Sequence, residues 1–187
     1  MLVFAGLGNP GEKYVDTRHN SGYFFADSLR DFLGWSGTYD VSDWQEDKSL
    51  EASVCYCRLG QELKISLVKP HTYMNASGRA IQKFCNLHKI DVSNEFILAH
   101  DDLDIELGKY KIQREKSPKE HNGVNNVELM LGRKDFLRVR LGVDNRDPQK
   151  RINGESYVLL KMKAQEIQLL SNSISEAIKN VRNMLYI

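Results

Sequence analysis

The sequence predicts a single α/β domain spanning residues 1–187, a three-layer α/β/α sandwich around a twisted mixed sheet, on three observations. Strand-like apolar runs alternate with segments of helical period, the order expected of a sheet covered on both faces by helices. The first run, Leu2-Val3-Phe4-Ala5, is short, apolar and unbroken, as in a strand buried on both faces, and a glycine turn ends it. With 187 residues, 41% hydrophobic and 27% charged, the chain can fill one core but is too short for two comfortable ones.

Taken in order, the first strand is Leu2–Ala5, and Gly6-Leu7-Gly8-Asn9-Pro10-Gly11 forms the turn, with glycines for positive φ or close approach to a ligand. Glu12 to Asp16 reads as extended, and Thr17 as the N-cap of the first helix. Asn20–Leu33 carries Phe25, Leu29, Phe32 and Leu33 on one helical face. Leu33–Asp47 has no period and is expected to be an irregular surface excursion. Ser53–Leu59 and Leu63–Val68 read as strands, Ala76–His88 as a helix, and Phe96–Ala99 and Lys109–Arg114 as strands. Gly123–Leu131 reads as a helix, Leu137–Val143 as a strand, and Tyr157–Leu159 as a short strand. Ala164–Leu185 is the clearest helix, because Ile167, Leu170, Ile174, Ala177, Ile178, Val181 and Leu185 recur at helical spacing.

Several function classes fall away at this level. No apolar run reaches 18 residues and the first strand gives way at once to glycine and charge, so neither a membrane span nor a signal peptide is expected, and the predicted compartment is the cytoplasm. Cys55 and Cys57 share one side of a strand and Cys85 lies in a helix; neither a disulfide framework nor a zinc site is expected from that spacing. Gly6 to Gly11 also matches G-x-G-x-x-G. A dinucleotide site, however, needs a helix opening inside the glycines and an acid closing a second strand, whereas Pro10 delays the helix and Asp27 and Asp31 fall within it.

The net charge of +1 conceals an asymmetry. Asp27 to Glu62 is acidic, with eight acidic against three basic residues. Lys109 to Glu120 and Arg133 to Arg151 are basic, with excesses of three and four, and two such neighbouring segments match either a phosphate-attracting face or an ordinary solvated surface.

Polar residues gather where strands end: Lys69 to Gly78, the run His100-Asp101-Asp102-Leu103-Asp104, and His121-Asn122-Gly123 ahead of a helix. Each alone is explained by a cap or turn. Together they sit where neighbouring strand ends converge on a crevice. His19 beside Asp101 would form a base of fixed tautomer able to activate water, and the amides of Asn9, Asn75 and Asn122 could donate to a carbonyl as it gains negative charge. Ser21 and Ser77 lie in helix first turns without a nucleophile elbow, and His100, Asp101, Asp102 and Asp104 match no familiar metal spacing.

Four blocks, GLGNPGEKYVDTRHNSG at Gly6–Gly22, KPHTYMNASG at Lys69–Gly78, HDDLDIELGK at His100–Lys109 and HNG at His121–Gly123, make the chain resemble bacterial-type peptidyl-tRNA hydrolases. FLRVRLGV at Phe136–Val143 and YVLLKM at Tyr157–Met162 extend the resemblance over nearly the whole chain. It implies hydrolysis of the ester joining a peptide to the 3′ ribose of tRNA, by a monomer that needs no metal or cofactor and no obligate protein partner, acting on the acceptor stem and 3′ end of peptidyl-tRNA. In that family's terms His19 matches the base and Asp101 its partner. Asn9, Asn75 and Asn122 match residues that position water and grip the peptide main chain. Tyr14 and Met74, with Tyr73 beside them, match the channel for the terminal adenosine and the peptide.

The chain departs from the family where a glycine-rich loop usually precedes HNG, since it carries Glu115-Lys116-Ser117-Pro118-Lys119-Glu120 there. The family's phosphate-clamping basic residue corresponds to Gln113, flanked by Lys111 and Arg114, while Arg140 matches the second half of the clamp. Phosphate binding is therefore expected of Arg140, Lys111 and Arg114, with Lys116 or Lys119 as alternative sources of the missing charge. A non-catalytic RNA-binding relative, of the kind known as an organellar splicing factor, is the rival reading; the retained His19, Asp101 and asparagines weigh against it.

Overall fold

The computed structural model describes residues 1–147, 149 and 152–187. The strands are β1 (Leu2–Gly6), β2 (Asp40–Val41), β3 (Gln45–Asp47), β4 (Ala52–Leu59), β5 (Glu62–Pro70), β6 (Phe96–Glu106), β7 (Tyr110–Arg114) and β8 (Leu137–Asp144). The α-helices are α1 (Ser21–Trp35), α2 (Ser77–His88), α3 (Val92–Glu95), α4 (Asn122–Leu131), α5 (Gly154–Val158) and α6 (Ala164–Leu185). The strands form one mixed sheet in the order β2-β4-β5-β1-β6-β8-β7, with β3 also paired to β4. β1 lies centrally, parallel to β5 and β6, and β6 runs parallel to β8; β4 and β7 are antiparallel to their neighbours.

Alternation along the strands divides the core in two. Phe4, Ile97, Val139 and Leu141 face α1 and α6, meeting Phe25, Leu29, Ile174 and Ile178. Val3, Ala5, Leu98 and Phe136 face α2 and α4, meeting Ile81, Phe84, Val124 and Val127. The three-layer sandwich expected from the sequence is the observed one.

The glycines after β1 serve close packing more than unusual angles. Of the three in the turn only Gly11 has positive φ, at 97°. A β-carbon at Gly6 would lie 2.1 Å from the Gly22 carbonyl oxygen, and one at Gly8 would enter the Tyr23 ring, so what approaches them is α1 and not a ligand. Gly22 is equally constrained, since a β-carbon there would sit 2.3 Å from Leu7 N and 2.4 Å from Ala99 O, atoms that hydrogen-bond each other at 2.9 Å. Backbone on every side leaves no route for relief. Gly22→Ala is expected to cost about 3 kcal/mol, read as a lower denaturation midpoint; an unchanged midpoint would contradict the packing described.

Several local expectations are corrected. Glu12–Tyr14 is a 3₁₀ turn and not extended. The Thr17 hydroxyl donates to Tyr14 O at 2.8 Å instead of capping, and α1 starts at Ser21 after a second 3₁₀ turn at Arg18–Asn20. Leu33–Asp47 contains β2 and β3, short pieces pinned antiparallel to β4. The expected strand at Tyr157–Leu159 is instead α5, started by Asn153, whose Oδ1 accepts from Glu155 N at 2.9 Å. β6 continues well past Ala99, in register with β8 through His100↔Arg140, Asp101↔Leu141 and Asp102↔Gly142. Its polar residues are held in the strand by partners across the sheet and along the chain, Arg140 Nε donating to Asp102 at 2.7 Å and His100 Nδ1 lying 2.7 Å from the Asp101 carbonyl oxygen.

Candidate active site

Strand ends and helix starts converge on a crevice of about 620 Å³. Asn9 from the glycine turn, Tyr14 and His19 from the 3₁₀ turns, and Tyr73, Met74 and Asn75 ahead of α2 line it. So do Asp101 from β6 and Asn122 from α4. The eight residues expected at a water-activating centre and its substrate channel are thus brought together. Lys111, Arg114 and Arg140 do not line it.

The centre is a buried carboxylate between two imidazoles. His19 Nδ1 lies 3.0 Å from both oxygens of Asp101, and His121 Nε2 lies 2.9 Å from Oδ1. Asp101 is 1% exposed. Burial alone would raise its pKa, yet the charge of a protonated His19 and the hydrogen bonds from His121 and His19 hold it below the usual carboxylate range, so it is an anion that accepts from both rings. Burial also acts against a charged His19, but the charge and hydrogen bond of Asp101 outweigh it and raise the pKa above 6.5. With Nδ1–H directed at the carboxylate, the lone pair of His19 is on Nε2, the atom available as a base.

His121 has a fixed tautomer for a separate reason. It is the N-cap of α4, and its Nδ1 accepts from Gly123 N at 3.1 Å and Val124 N at 3.2 Å. Nδ1 is therefore unprotonated and Nε2–H donates to Asp101. His19, Asp101 and His121 place three potential ligand atoms within 4.8 Å of one another. The donor set nevertheless fits a metal poorly, because a cation on His121 Nε2 would demand an imidazolate or the loss of the α4 cap. His100, wholly buried beside them, is held neutral, its pKa driven down to about 3, chiefly by burial.

The Asn9 carboxamide is held by the backbone. Asn9 Oδ1 accepts from Met74 N at 2.9 Å, so the group it offers the crevice is its amide N–H. Asn20, buried behind it, fixes the turn by accepting from Asn9 N at 2.9 Å and donating to Asn9 O at 3.1 Å. Asn75 and Asn122 are exposed at the crevice. Tyr14 and Tyr73 meet edge to face at 6.3 Å, and Tyr73 is 60% exposed.

Residues 3–186 match the family model for peptidyl-tRNA hydrolase. The chain belongs to the peptidyl-tRNA hydrolase family. Among relatives, the peptidyl-tRNA hydrolase of Thermodesulfovibrio yellowstonii is 35% identical over 97% of this chain and 90% of its own. That of a Thermoanaerobacter species is 37% identical over 95% and 89%. The crystal structure of peptidyl-tRNA hydrolase from Acinetobacter baumannii aligns with a TM-score of 0.82 at 27% identity, covering 97% of this chain and 87% of that one.

In this member of the peptidyl-tRNA hydrolase family the basic residues divide sharply. Arg138 and Arg140 are buried and paired, with Glu128 and Asp102, and Arg140 also donates to Gln113 Oε1 at 2.8 Å. Arg146 pairs with Asp144, Arg133 with Asp135 and Lys109 with Glu106. Lys111, Arg114 and Lys116 are exposed. Lys119 lines the crevice, its N–H donating to Asp104 at 3.1 Å. Lys150 and Arg151, counted in the second basic segment, lie outside the described residues.

His121 is the main residue to which the sequence assigns no role, because His-Asn-Gly resembles a turn. Its signal is its place directly ahead of an apolar helical pattern, where a side-chain acceptor is needed. Leu103, Asn125, Glu155, Val158 and Leu159 also line the crevice, without a pattern in the sequence that marks them.

Proposed function

We infer that the chain hydrolyses peptidyl-tRNA, releasing the peptide and free tRNA, and that His19 and Asp101 carry the chemistry. The observation that carries this reading is a histidine whose Nδ1 is held by a buried carboxylate, at a crevice lined by carboxamides that include those of Asn9, Asn75 and Asn122, in a chain of this family. His19 Nε2 takes a proton from water as the water oxygen bonds to the ester carbonyl. Asp101 stays ionised and stabilises the imidazolium. The amides of Asn9, Asn75 and Asn122 donate to the carbonyl oxygen as it becomes negative, and Asn9, fixed by Met74 N, is the best prepared of the three. When the C–O bond to the ribose breaks, the imidazolium returns the proton to the leaving oxygen.

Tyr14, Tyr73 and Met74 provide surface for the terminal adenosine and the adjoining peptide. The acceptor stem lies along β7, with phosphates on Lys111 and Arg114 and beside Arg140. Of these Arg140 is nearly enclosed, at 3% exposed, so Lys111 and Arg114, the latter anchored on the Ser93 and Asp135 carbonyls, make the solvent-facing contacts, and Lys119, its ammonium 3.9 Å from Asp104, stands at the crevice. The chain acts as one domain over residues 1–187, as a cytoplasmic monomer. Among the described residues, no helix is long and apolar enough to cross a membrane.

The test is release of the acyl-amino acid from N-acetylated aminoacyl-tRNA by the purified protein. Cleavage that leaves chargeable tRNA is expected. Tight tRNA binding without cleavage would overturn the reading in favour of an RNA-binding relative.

A further inference from the structure

Arg18 precedes the base in the chain but faces a different task. It is 3% exposed, with its guanidinium 4.1 Å from the centre of the Tyr157 ring. It donates to Glu166, to the Leu160 carbonyl at 3.3 Å and to Asn145 Oδ1 at 3.4 Å. Tyr157, also buried, contacts Asn145 through its hydroxyl and takes Arg146 on its ring at 5.5 Å. An antiparallel backbone bridge between Thr17 and Lys161, with Met162 N donating to Asp16 O at 2.8 Å, ties the same two segments. Neither Arg18 nor Tyr157 lines the crevice, yet both neighbour residues that do: His19 on one side, Val158 and Leu159 on the other.

We propose that Arg18 and Tyr157 are positioning residues that clasp the α5 wall of the crevice to the segment bearing His19 and so fix the space open to the acyl group of the substrate. The wall carries Val158 and Leu159 with Gly154 and Glu155 of the same segment, and Leu103 of β6 continues its apolar part. It reaches the acyl side chain and not the reacting atoms, and its displacement changes binding before chemistry. Arginine is required because a planar cation can stack on the ring while pairing with Glu166.

For its kinetic readout the proposal rests on the hydrolase reading above. In Tyr157→Leu, KM for an N-acetylated aminoacyl-tRNA is expected to rise about tenfold, with kcat within about twofold and the pH profile unmoved. Tyr157→Phe keeps the ring and is expected to restore most of the KM. Arg18→Lys keeps the charge without the planar stack and serves as a second variant, with the same expected direction. Amide hydrogen exchange at Leu160 and Met162 is expected to accelerate in Tyr157→Leu. An unchanged KM in Tyr157→Leu, a fall in kcat alone, or failure of Tyr157→Phe to restore KM would overturn the proposal. If the wild-type protein cleaves nothing, the activity reading fails, while the exchange measurement still decides the clasp: unaltered protection of Leu160 and Met162 would sink it.

Discussion

His19→Ala is expected to lower kcat/KM for N-acetylated aminoacyl-tRNA by about 10²–10⁴, the usual worth of a positioned general base. The protein should remain folded. Asp101 keeps the N–H of His121 at 2.9 Å, so the variant loses one hydrogen bond to a charged group, worth about 1.5–3 kcal/mol. Folding is checked by circular dichroism and a denaturation midpoint, and substrate binding by the affinity of the inactive variant for tRNA, which should be close to that of the wild type. A variant that keeps more than about a tenth of the wild-type rate would remove His19 from the proton transfer.

Asp101→Asn should change both the height and the position of the pH profile. A neutral amide can neither hold His19 with its lone pair on Nε2 nor stabilise the imidazolium, and a loss of about 10²–10⁴ in kcat/KM is expected. In the wild type the reactive form is neutral His19, so activity rises with pH through a pKa that Asp101 holds above 6.5. Without the carboxylate, burial is unopposed and the rise moves to below pH 6.5.

Stability depends on the same groups with a definite sign. A raised pKa in the folded protein gives His19 a stabilising contribution that is full below pH 6.5 and is lost as pH climbs through the folded value. The lowered pKa of Asp101 contributes above its ordinary value of about 3.9 and is lost in acid. Asp101→Asn should therefore lower the denaturation midpoint more at pH 6 than at pH 9. An equal loss at both, or an acid limb that stays in place, would refute the coupling.

Much of the fold and the site is legible in the sequence. Leu2–Ala5 and Leu137–Val143 announce buried strands, and the apolar recurrence from Ile167 to Leu185 announces α6, because those patterns report which face is buried. The convergence of His19, Asp101 and the asparagines is anticipated by reading their segments as strand ends, although β6 runs on and carries Asp101 within the strand. What stays hidden depends on partners distant in sequence. Tyr157-Val158-Leu159 has strand composition, and only the Asn153 cap and the ties to Arg18 make it a helix and wall. Arg140 looks like a free cation, but the sequence does not reveal that Asp102 and Gln113 enclose it. His121 looks like part of a turn because its roles, capping α4 and donating to Asp101, are both set by tertiary placement.

Among the described residues the sheet ends at β7, which is bonded to β8 on one side and to no strand on the other. Such a strand offers unpaired backbone groups to any second chain that can extend the sheet. Lys111 and Arg114 stand along it, and the opposite edge, β2, is only two residues long. The cations proposed to meet phosphate thus also guard against aggregation: pairing two copies edge to edge would bring like charges together. Neutralising them to weaken RNA binding would at the same time remove a barrier to self-association, so a loss of solubility in such variants would arise from the bared edge without any change in the fold.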